Sequence, residues 1–97
     1  MWKLIDIVRS SKEGKKWMAT FEDNTTGRRK RTHFGDSSME DYTQHKDPER
    51  AENYRSRHAK DLKTNDPTRA GYLSYYVLWD GPNRSENIRR YKKRFNL

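Results

Sequence analysis

Histidines and carboxylates are the side chains through which this sequence could support acid–base or metal chemistry. The three histidines, His33, His45 and His58, lack the His-x3-His spacing of a zinc site and do not stand beside converging carboxylates. The string His-Lys-Asp at positions 45–47 shares its letters with a phosphodiesterase motif but not the spacing of that motif. A metal-dependent nuclease that uses His33, His45 and Asp41 is therefore the weakest hypothesis that these residues allow.

The carboxylates are better explained as helix caps than as catalytic groups. Asp47 and Asp66 each precede a proline, and an aspartate followed by proline is a common N-terminal signal of a helix. The sequence has no Ser-His-Asp order and no glycine-rich phosphate loop, and the absence of cysteine excludes disulfides and cysteine-ligated zinc. We therefore predict no catalytic residue, no metal and no cofactor, in a protein that is not an enzyme.

The cations are the strongest chemical feature of the sequence. It carries 22 Lys and Arg against 14 Asp and Glu, a net charge of +8. Residues 48–97 hold twelve basic and six acidic residues, whereas residues 1–47 hold ten and eight. The planar guanidinium of arginine can donate two hydrogen bonds to phosphate oxygens. A positive surface of this kind therefore predicts a polyanionic partner, and nucleic acid is the first candidate.

Two groups of cations supply the predicted contacts to phosphate. The run Arg-Arg-Lys-Arg at 28–31 falls on a predicted strand, so alternate side chains project outward, and further cations line two predicted helices. Contacts of Lys and Arg to phosphate carry little sequence information, which predicts binding without base specificity. The predicted contact residues are Arg29, Arg31, Arg57, Arg89, Arg90, Lys93 and Arg94.

Tyrosines lie among these cations and have two interpretations. Exposed rings at Tyr42, Tyr54, Tyr75 and Tyr91 could stack on bases. Alternatively, the same rings form the core of a chain in which only 30% of the residues are hydrophobic. The sequence alone leaves both interpretations open.

Three strands are predicted in the first third of the chain. Apolar and polar residues alternate over 16–22, which is typical of a half-buried strand. The turn-forming run at 23–27 ends in glycine and predicts a hairpin into a third strand over 28–34. Residues 2–8 predict a first strand whose apolar residues fall on both parities, which indicates burial on both faces.

Helices are predicted in the second half, after a polar connection over 37–46. One helix follows Asp47, a second spans 67–79, and a third begins after Asn83 with the spacing of a capping box. The expected fold is a single α+β domain of residues 1–97. In it, a three-stranded antiparallel sheet over 1–35 packs against about three short helices over 48–97.

A family resemblance rests on short strings spread from residue 16 to the C-terminus. The strings are Thr32-His33-Phe34-Gly35, Asp41-Tyr42-Thr43, His45-Lys46-Asp47 with Arg50, Tyr54, Arg57 and His58, Asn65-Asp66-Pro67, Ala70-Gly71, Leu73-Ser74, Tyr76, Leu78-Trp79 and Tyr91-Lys92-Lys93-Arg94-Phe95. In these strings the sequence resembles a group of small, basic, uncharacterised proteins of large double-stranded DNA viruses of algae and amoebae. It departs from their pattern mainly over 49–63. The resemblance implies a viral protein of the virion or the replication site, and it implies no activity.

The leading hypothesis is a small non-enzymatic viral protein that binds nucleic acid, DNA first, and helps to organise or package a genome. The alternative is a minor capsid or cement protein, because a thin aromatic core suits a chain that completes its burial against other virion proteins. The N-terminal apolar run is too short for a signal peptide or a membrane span. We expect a protein of the virion, or of the host nucleus or cytoplasm, that is neither secreted nor membrane-bound. Its oligomeric state, including membership of a larger assembly, is left open by the sequence.

Overall fold

The computed structural model describes residues 1–97, which form an α+β fold with a three-stranded antiparallel sheet followed by helices. The predicted fold class is therefore confirmed. The order of the elements along the chain also follows the prediction, with all strands before all helices.

The sheet consists of β1 (Trp2–Arg9), β2 (Lys15–Asp23) and β3 (Arg29–Asp36). The strands pair antiparallel in chain order, as a meander. Gly14 and Gly27 lie in the two hairpins with φ of 83° and 74°, a left-handed conformation that glycine adopts without steric cost. The turn chemistry of the sequence thus places the strands correctly.

The helical part is more divided than the three predicted helices. None of its helices is long and apolar enough to cross a membrane, since the longest have eleven residues. The segments are α1 (Tyr42–His45), α2 (Pro48–His58), a 3₁₀ helix (Ala59–Thr64), α3 (Ala70–Leu73), a π-helical segment (Ser74–Leu78) and α4 (Arg84–Arg94).

Side-chain caps begin three of these helices. Asp47 accepts hydrogen bonds from the first free N–H groups of α2, and Asn83 accepts one from the first turn of α4, both at the predicted positions. At α1, Asp41 and Gln44 form a reciprocal capping box. Since α1 lies in the segment predicted as a polar connection, the sequence interpretation missed this helix.

The helix predicted over 67–79 differs from the structure at its start. The carboxylate of Asp66 accepts hydrogen bonds from the Thr68 N–H at 3.0 Å and the Thr68 hydroxyl at 2.7 Å. These bonds hold the chain in a turn, so α3 begins only at Ala70. The helix then widens into the π-helical segment and ends at Leu78.

The core lies between the helices and one face of the sheet, which we call the inner face. Phe21 and Phe34 project from this face and are fully buried in one cluster with Leu73, Val77 and Leu78. Burial of a phenylalanine or leucine side chain contributes about 1.5–3 kcal/mol. This cluster therefore supplies much of the stability of a chain with few apolar residues.

The prediction that β1 is buried on both faces is wrong. Ile5 and Val8 are 45% and 43% exposed, whereas Leu4 on the inner face is buried. Ile5 occupies an irregularity in the pairing with β2, between Leu4 and Asp6, so it leaves the regular alternation. The opposite face of the sheet, which we call the outer face, is uncovered at Val8.

Candidate anion-binding surfaces

Most cations of this chain have no carboxylate partner within it. Of the 22 lysines and arginines, six lie within 4.0 Å of an Asp or Glu oxygen and sixteen do not. The excess positive charge therefore stays available to an external anion. The six paired cations are Lys16, Arg29, Lys30, Arg69, Arg89 and Arg90.

The cations of β3 alternate between the two faces of the sheet, as the strand period predicts. Arg29 and Arg31 are exposed on the outer face, and Arg29 pairs with Glu22 of β2 at 3.3 Å. Arg31 has no carboxylate within 4.0 Å. Lys30 turns to the inner side, where its ammonium donates a hydrogen bond to the Thr68 hydroxyl at 2.6 Å.

The other predicted contact residues lie on helices. Arg57 is exposed in the last turn of α2 and has no carboxylate partner. Four residues, Arg89, Arg90, Lys93 and Arg94, lie on α4. Helix α4 packs mainly against the π-helical segment, among the helices on the inner side of the sheet, whereas Arg29 and Arg31 lie on the outer face. The structure therefore does not unite all seven predicted residues on one surface.

Helix α4 is divided into a buried side and a cationic side. Asn87 and Tyr91 are buried, and the Asn87 amide donates to the carbonyl oxygens of Val77 and Gly81 at 2.9 and 2.8 Å. Arg90 is tied into this arrangement, since it donates to the Asn87 side chain at 2.6 Å. These contacts fix the rotation of α4 and leave its other cations directed to solvent.

Helix α4 carries six exposed cations, and we call the four other than Arg84 and Arg90 the α4 cationic surface. Glu86 is the only acidic residue of the helix, and it pairs with Arg89 and lies 3.9 Å from Arg90. The guanidinium of Arg94 lies 5.2 Å from the centre of the Tyr76 ring. The members of the α4 cationic surface are Arg89, Lys92, Lys93 and Arg94.

A second cationic site lies at the end of the sheet where the β1–β2 hairpin, the end of β3, α1 and the start of α4 meet. It is a cleft of about 440 Å³, which we call the sheet-end cleft. Nine of its ten lining residues are not hydrophobic. The lining consists of Arg9, Ser10, Lys15, Lys16, Trp17, Ser37, Asp41, Thr43, Gln44 and Arg84.

Two arginines of the cleft are held by an indole ring. The guanidinium carbon of Arg84 lies 3.9 Å from the centre of the Trp17 ring, and that of Arg9 lies 5.6 Å from it. A guanidinium over an indole face is attracted by the ring quadrupole, by about 0.5–1 kcal/mol at an exposed site. Neither arginine has a carboxylate within 4.0 Å, so the ring orients two uncompensated charges.

The one carboxylate that lines the cleft is already neutralised. Asp41 is 3% exposed and accepts hydrogen bonds from the Lys16 ammonium at 2.8 Å and the Thr43 N–H at 2.9 Å. Lys16 also donates to the Gln44 side chain at 2.5 Å. Lys15, by contrast, is exposed and unpaired. The charge that the cleft presents therefore comes from Arg9, Lys15 and Arg84.

A further carboxylate, that of Asp36, stands opposite Lys15 in the strand register. Hydrogen bonds from the hydroxyl and N–H of Ser38, together with the nearby charges of Lys15 and Lys16, lower the pKa of Asp36. Its Oδ1 thus accepts both hydrogen bonds from Ser38, and the carboxylate lies more than 4.0 Å from the Lys15 ammonium.

The residues of the nuclease hypothesis do not converge. His33 shares a 2.7 Å hydrogen bond with the Ser10 hydroxyl, and His45 accepts one from the Asp47 N–H at 3.0 Å. Asp41 is paired with Lys16. No group of three or more histidines and carboxylates could hold a metal ion.

The four tyrosines proposed for base stacking are largely occupied within the protein. Tyr91 is 1% exposed, so the stacking interpretation is wrong for this ring. Tyr54 stacks between Trp79 and His58, with centroid distances of 4.0 and 4.1 Å. Tyr42 and Tyr75 are half-buried beside His45 and Tyr76 respectively. These rings contribute to the packing that holds the cations in place.

A family model described as a family of unknown function, DUF5754, matches residues 5–58, which is more than half of the chain. This chain belongs to that family. No curated protein and no solved structure matches it.

The family region covers only part of the candidate surfaces. It contains β2, β3, α1 and α2, most of β1, and every residue of the sheet-end cleft except Arg84. It does not contain α4. The α4 cationic surface is thus carried by the segment of this chain outside the matched region.

The sequence interpretation missed Lys92 of the α4 cationic surface and all three free cations of the cleft. Lys92 belongs to the cationic run of the last predicted helix, and only the choice of contact residues left it out. Arg9 and Lys15 lie between the first two predicted strands, and antiparallel pairing of these strands would have put Arg9 opposite Trp17. Arg84 has no such signal, because only the packing of α4 brings it to Trp17.

Buried tyrosines predict a loss of stability at alkaline pH. Burial, with the charge of Asp61, raises the pKa of Tyr54 from 10.0 to about 12, and burial, with the charge of Asp66, also raises the pKa of Tyr91. Above about pH 10 the unfolded chain loses these protons while the folded chain keeps them, so stability falls between about pH 10 and 12. Urea unfolding at increasing pH measures this loss, and Tyr54→Phe should reduce it. A free energy of unfolding that fell equally in Tyr54→Phe and in the unmodified protein would contradict the assignment to Tyr54.

Proposed function

We propose that this protein binds nucleic acid through contacts to phosphate, DNA first, as a non-enzymatic protein of a large DNA virus that helps to organise or package the genome. The observation that carries the proposal is the α4 cationic surface. Three of its four cations, Lys92, Lys93 and Arg94, are exposed with no carboxylate within 4.0 Å. Lys93 follows Arg89 by four residues, a spacing at which like charges on a helix repel one another, and a bound polyanion would relieve that repulsion.

The size of the surface suits a short length of nucleic acid backbone. Helix α4 has eleven residues and is about 16 Å long, which equals the rise of about five base pairs. Four cations in that length would meet about four phosphates. The single acidic residue of the helix, Glu86, is engaged by Arg89 and Arg90 and lies in the first turn, away from Lys93.

The side chains of the α4 cationic surface, all lysine and arginine, support binding without base specificity. Lys and Arg contacts to phosphate position a protein on nucleic acid but do not read sequence. The aromatic rings that could stack on bases are buried or packed against other rings, as for Tyr54 and Tyr91.

The test is a titration of a fluorescent DNA duplex of about 20 base pairs, with Lys92→Gln combined with Lys93→Gln. Loss of two phosphate contacts at about 0.1 M salt should lower the affinity about 10- to 60-fold. A duplex of unrelated sequence should bind with an affinity within about threefold, because phosphate contacts are insensitive to sequence.

The matched control is Lys60→Gln combined with Lys63→Gln. Both lysines are exposed in the 3₁₀ helix and have no carboxylate partner, so the control removes the same charge elsewhere. The control should keep its affinity within about twofold. Equal losses for the two double variants, or no binding by the unmodified protein at low salt, would refute the proposal.

A second candidate function is that of a minor capsid or cement protein, favoured by the uncovered apolar residues of β1. Ile5 and Val8 are 45% and 43% exposed. Exposed apolar groups of this kind are often covered by partner proteins. Opening purified virus particles and following the protein separates the two functions, since a genome-bound protein stays with the DNA and a cement protein stays with the shell.

A further inference from the structure

We infer that the sheet-end cleft binds a phosphate monoester, with Arg9, Lys15 and Arg84 as the residues that contact its oxygens. The inference goes beyond the proposed function, because the cleft lies away from the α4 cationic surface and does not need a nucleic acid backbone. A volume of about 440 Å³ falls within the range of small-molecule sites and exceeds what a bare phosphate needs.

The charge of the cleft matches a dianion. Arg9, Lys15 and Arg84 are unpaired, whereas the buried carboxylate of Asp41 is neutralised by Lys16. Asp36 at the rim, opposite Lys15, offsets about one of the three free charges, although its Oδ1 accepts two hydrogen bonds from Ser38. The remaining charge of about +2 complements a phosphate monoester, which carries about −1.5 to −2 near neutral pH.

The donors are also arranged in advance of binding. Trp17 holds the guanidinium groups of Arg84 and Arg9, so little side-chain freedom would be lost when they bind an anion. The Ser37 hydroxyl at the rim makes no hydrogen bond within the protein and can donate to the same ligand. A planar guanidinium donates two parallel hydrogen bonds to phosphate oxygens.

The position of Arg84 over the Trp17 ring argues against recognition through base stacking. Arg84 lies 3.9 Å from the centre of the ring, where a stacked base would have to lie. The cleft is otherwise polar, with Trp17 as its only hydrophobic lining residue. The recognised group is therefore the phosphate, and the rest of a nucleotide or of a nucleic acid end would extend towards solvent.

The experiment is an NMR titration of the full chain with inorganic phosphate and with a mononucleotide, at constant ionic strength maintained with chloride. Saturable shifts of the Trp17 indole signal, with a Kd of about 1 mM or lower, are expected. Arg9→Gln combined with Arg84→Gln should weaken binding at least tenfold, to a Kd of about 10 mM or higher. Lys92→Gln combined with Lys93→Gln removes the same charge and should leave the phosphate affinity within about twofold.

A second variant covers the case in which loss of Arg84 disturbs the packing on Trp17. Lys15→Gln changes an exposed side chain with no packing role and should weaken phosphate binding about threefold or more. Shifts that do not saturate, that chloride reproduces, or that the Lys92 and Lys93 variant abolishes equally would overturn the inference. Loss of DNA binding in that variant with phosphate binding intact would support two separate sites.

The source of the monoester is distinguished by two further ligands. A single-stranded oligonucleotide with a 5′ phosphate is compared with the same strand carrying a 5′ hydroxyl. Tighter binding of the phosphorylated strand, lost in Arg9→Gln with Arg84→Gln, assigns the cleft to nucleic acid ends. Equal binding of the two strands together with saturable mononucleotide binding assigns it to free nucleotides.

Discussion

Replacing Asp41 with alanine is expected to lower the free energy of unfolding by about 3–5 kcal/mol. Its carboxylate is almost fully buried and is the counterion of Lys16, whose side chain is only 13% exposed. The substitution leaves that ammonium with the neutral Gln44 side chain but without a counterion, and it also removes the side-chain cap of α1. Urea unfolding followed by circular dichroism measures the loss, which is large against a total of about 5–15 kcal/mol for a typical domain.

The control for this prediction is Asp47→Ala. Asp47 caps α2 in the same way but has no buried ion pair, so its loss should cost only about 1 kcal/mol. Adding Lys16→Met to Asp41→Ala should restore part of the stability, because it removes the uncompensated charge. A similar cost for the two aspartates would mean that capping, and not the ion pair, accounts for the effect of Asp41.

Raising the salt concentration from about 50 to 200 mM is expected to weaken DNA binding about 150-fold. Four phosphate contacts by the α4 cationic surface release condensed counterions and give a slope of about −3.6 in a plot of log affinity against log salt. Fluorescence anisotropy at several salt concentrations measures this slope. The size of the effect depends on the number of contacts and does not depend on the DNA sequence.

Two double variants with the same loss of charge show whether the slope depends on the contacts of α4 or on the net charge of the protein. Lys92→Gln combined with Lys93→Gln should reduce the magnitude of the slope by about 1.8, which corresponds to two lost contacts. Lys60→Gln combined with Lys63→Gln should leave it unchanged. Binding with a slope near zero would exclude phosphate contacts as the basis of affinity.

The strands and helix starts could be predicted because their signals are local. Glycines at 14 and 27 allow the two hairpin turns, and the alternation over 16–22 separates the faces of β2. Asp47, directly before Pro48, caps α2 by accepting hydrogen bonds from N–H groups no more than three residues further along the chain. The same signal at Pro67 gave a wrong helix start, because Asp66 accepts hydrogen bonds from Thr68 and stabilises a turn there.

The candidate sites were less predictable, because charge alone does not reveal which cations are paired. Arg29 and Arg31 are neighbours on the outer face, yet only Arg29 has a carboxylate, that of Glu22, across the strand pair. Arg90 belongs to a cationic run but is engaged by Asp80 and by the side chain of Asn87. Such differences depend on side chains that are separated in sequence.

The amino-acid sequence by itself determined the positive charge of this protein, the meander, and the existence of a cationic last helix, because composition and short-range patterns set these properties. Only the tertiary structure decided that Tyr91 is buried and that Arg9, Lys15 and Arg84 share one cleft around Trp17. Arg84 is 67 residues from Trp17 in the chain, and they meet because the burial of Asn87 and Tyr91 sets the position and rotation of α4. The sheet-end cleft therefore depends on packing between segments that are distant in the chain, and short-range sequence patterns do not predict such packing.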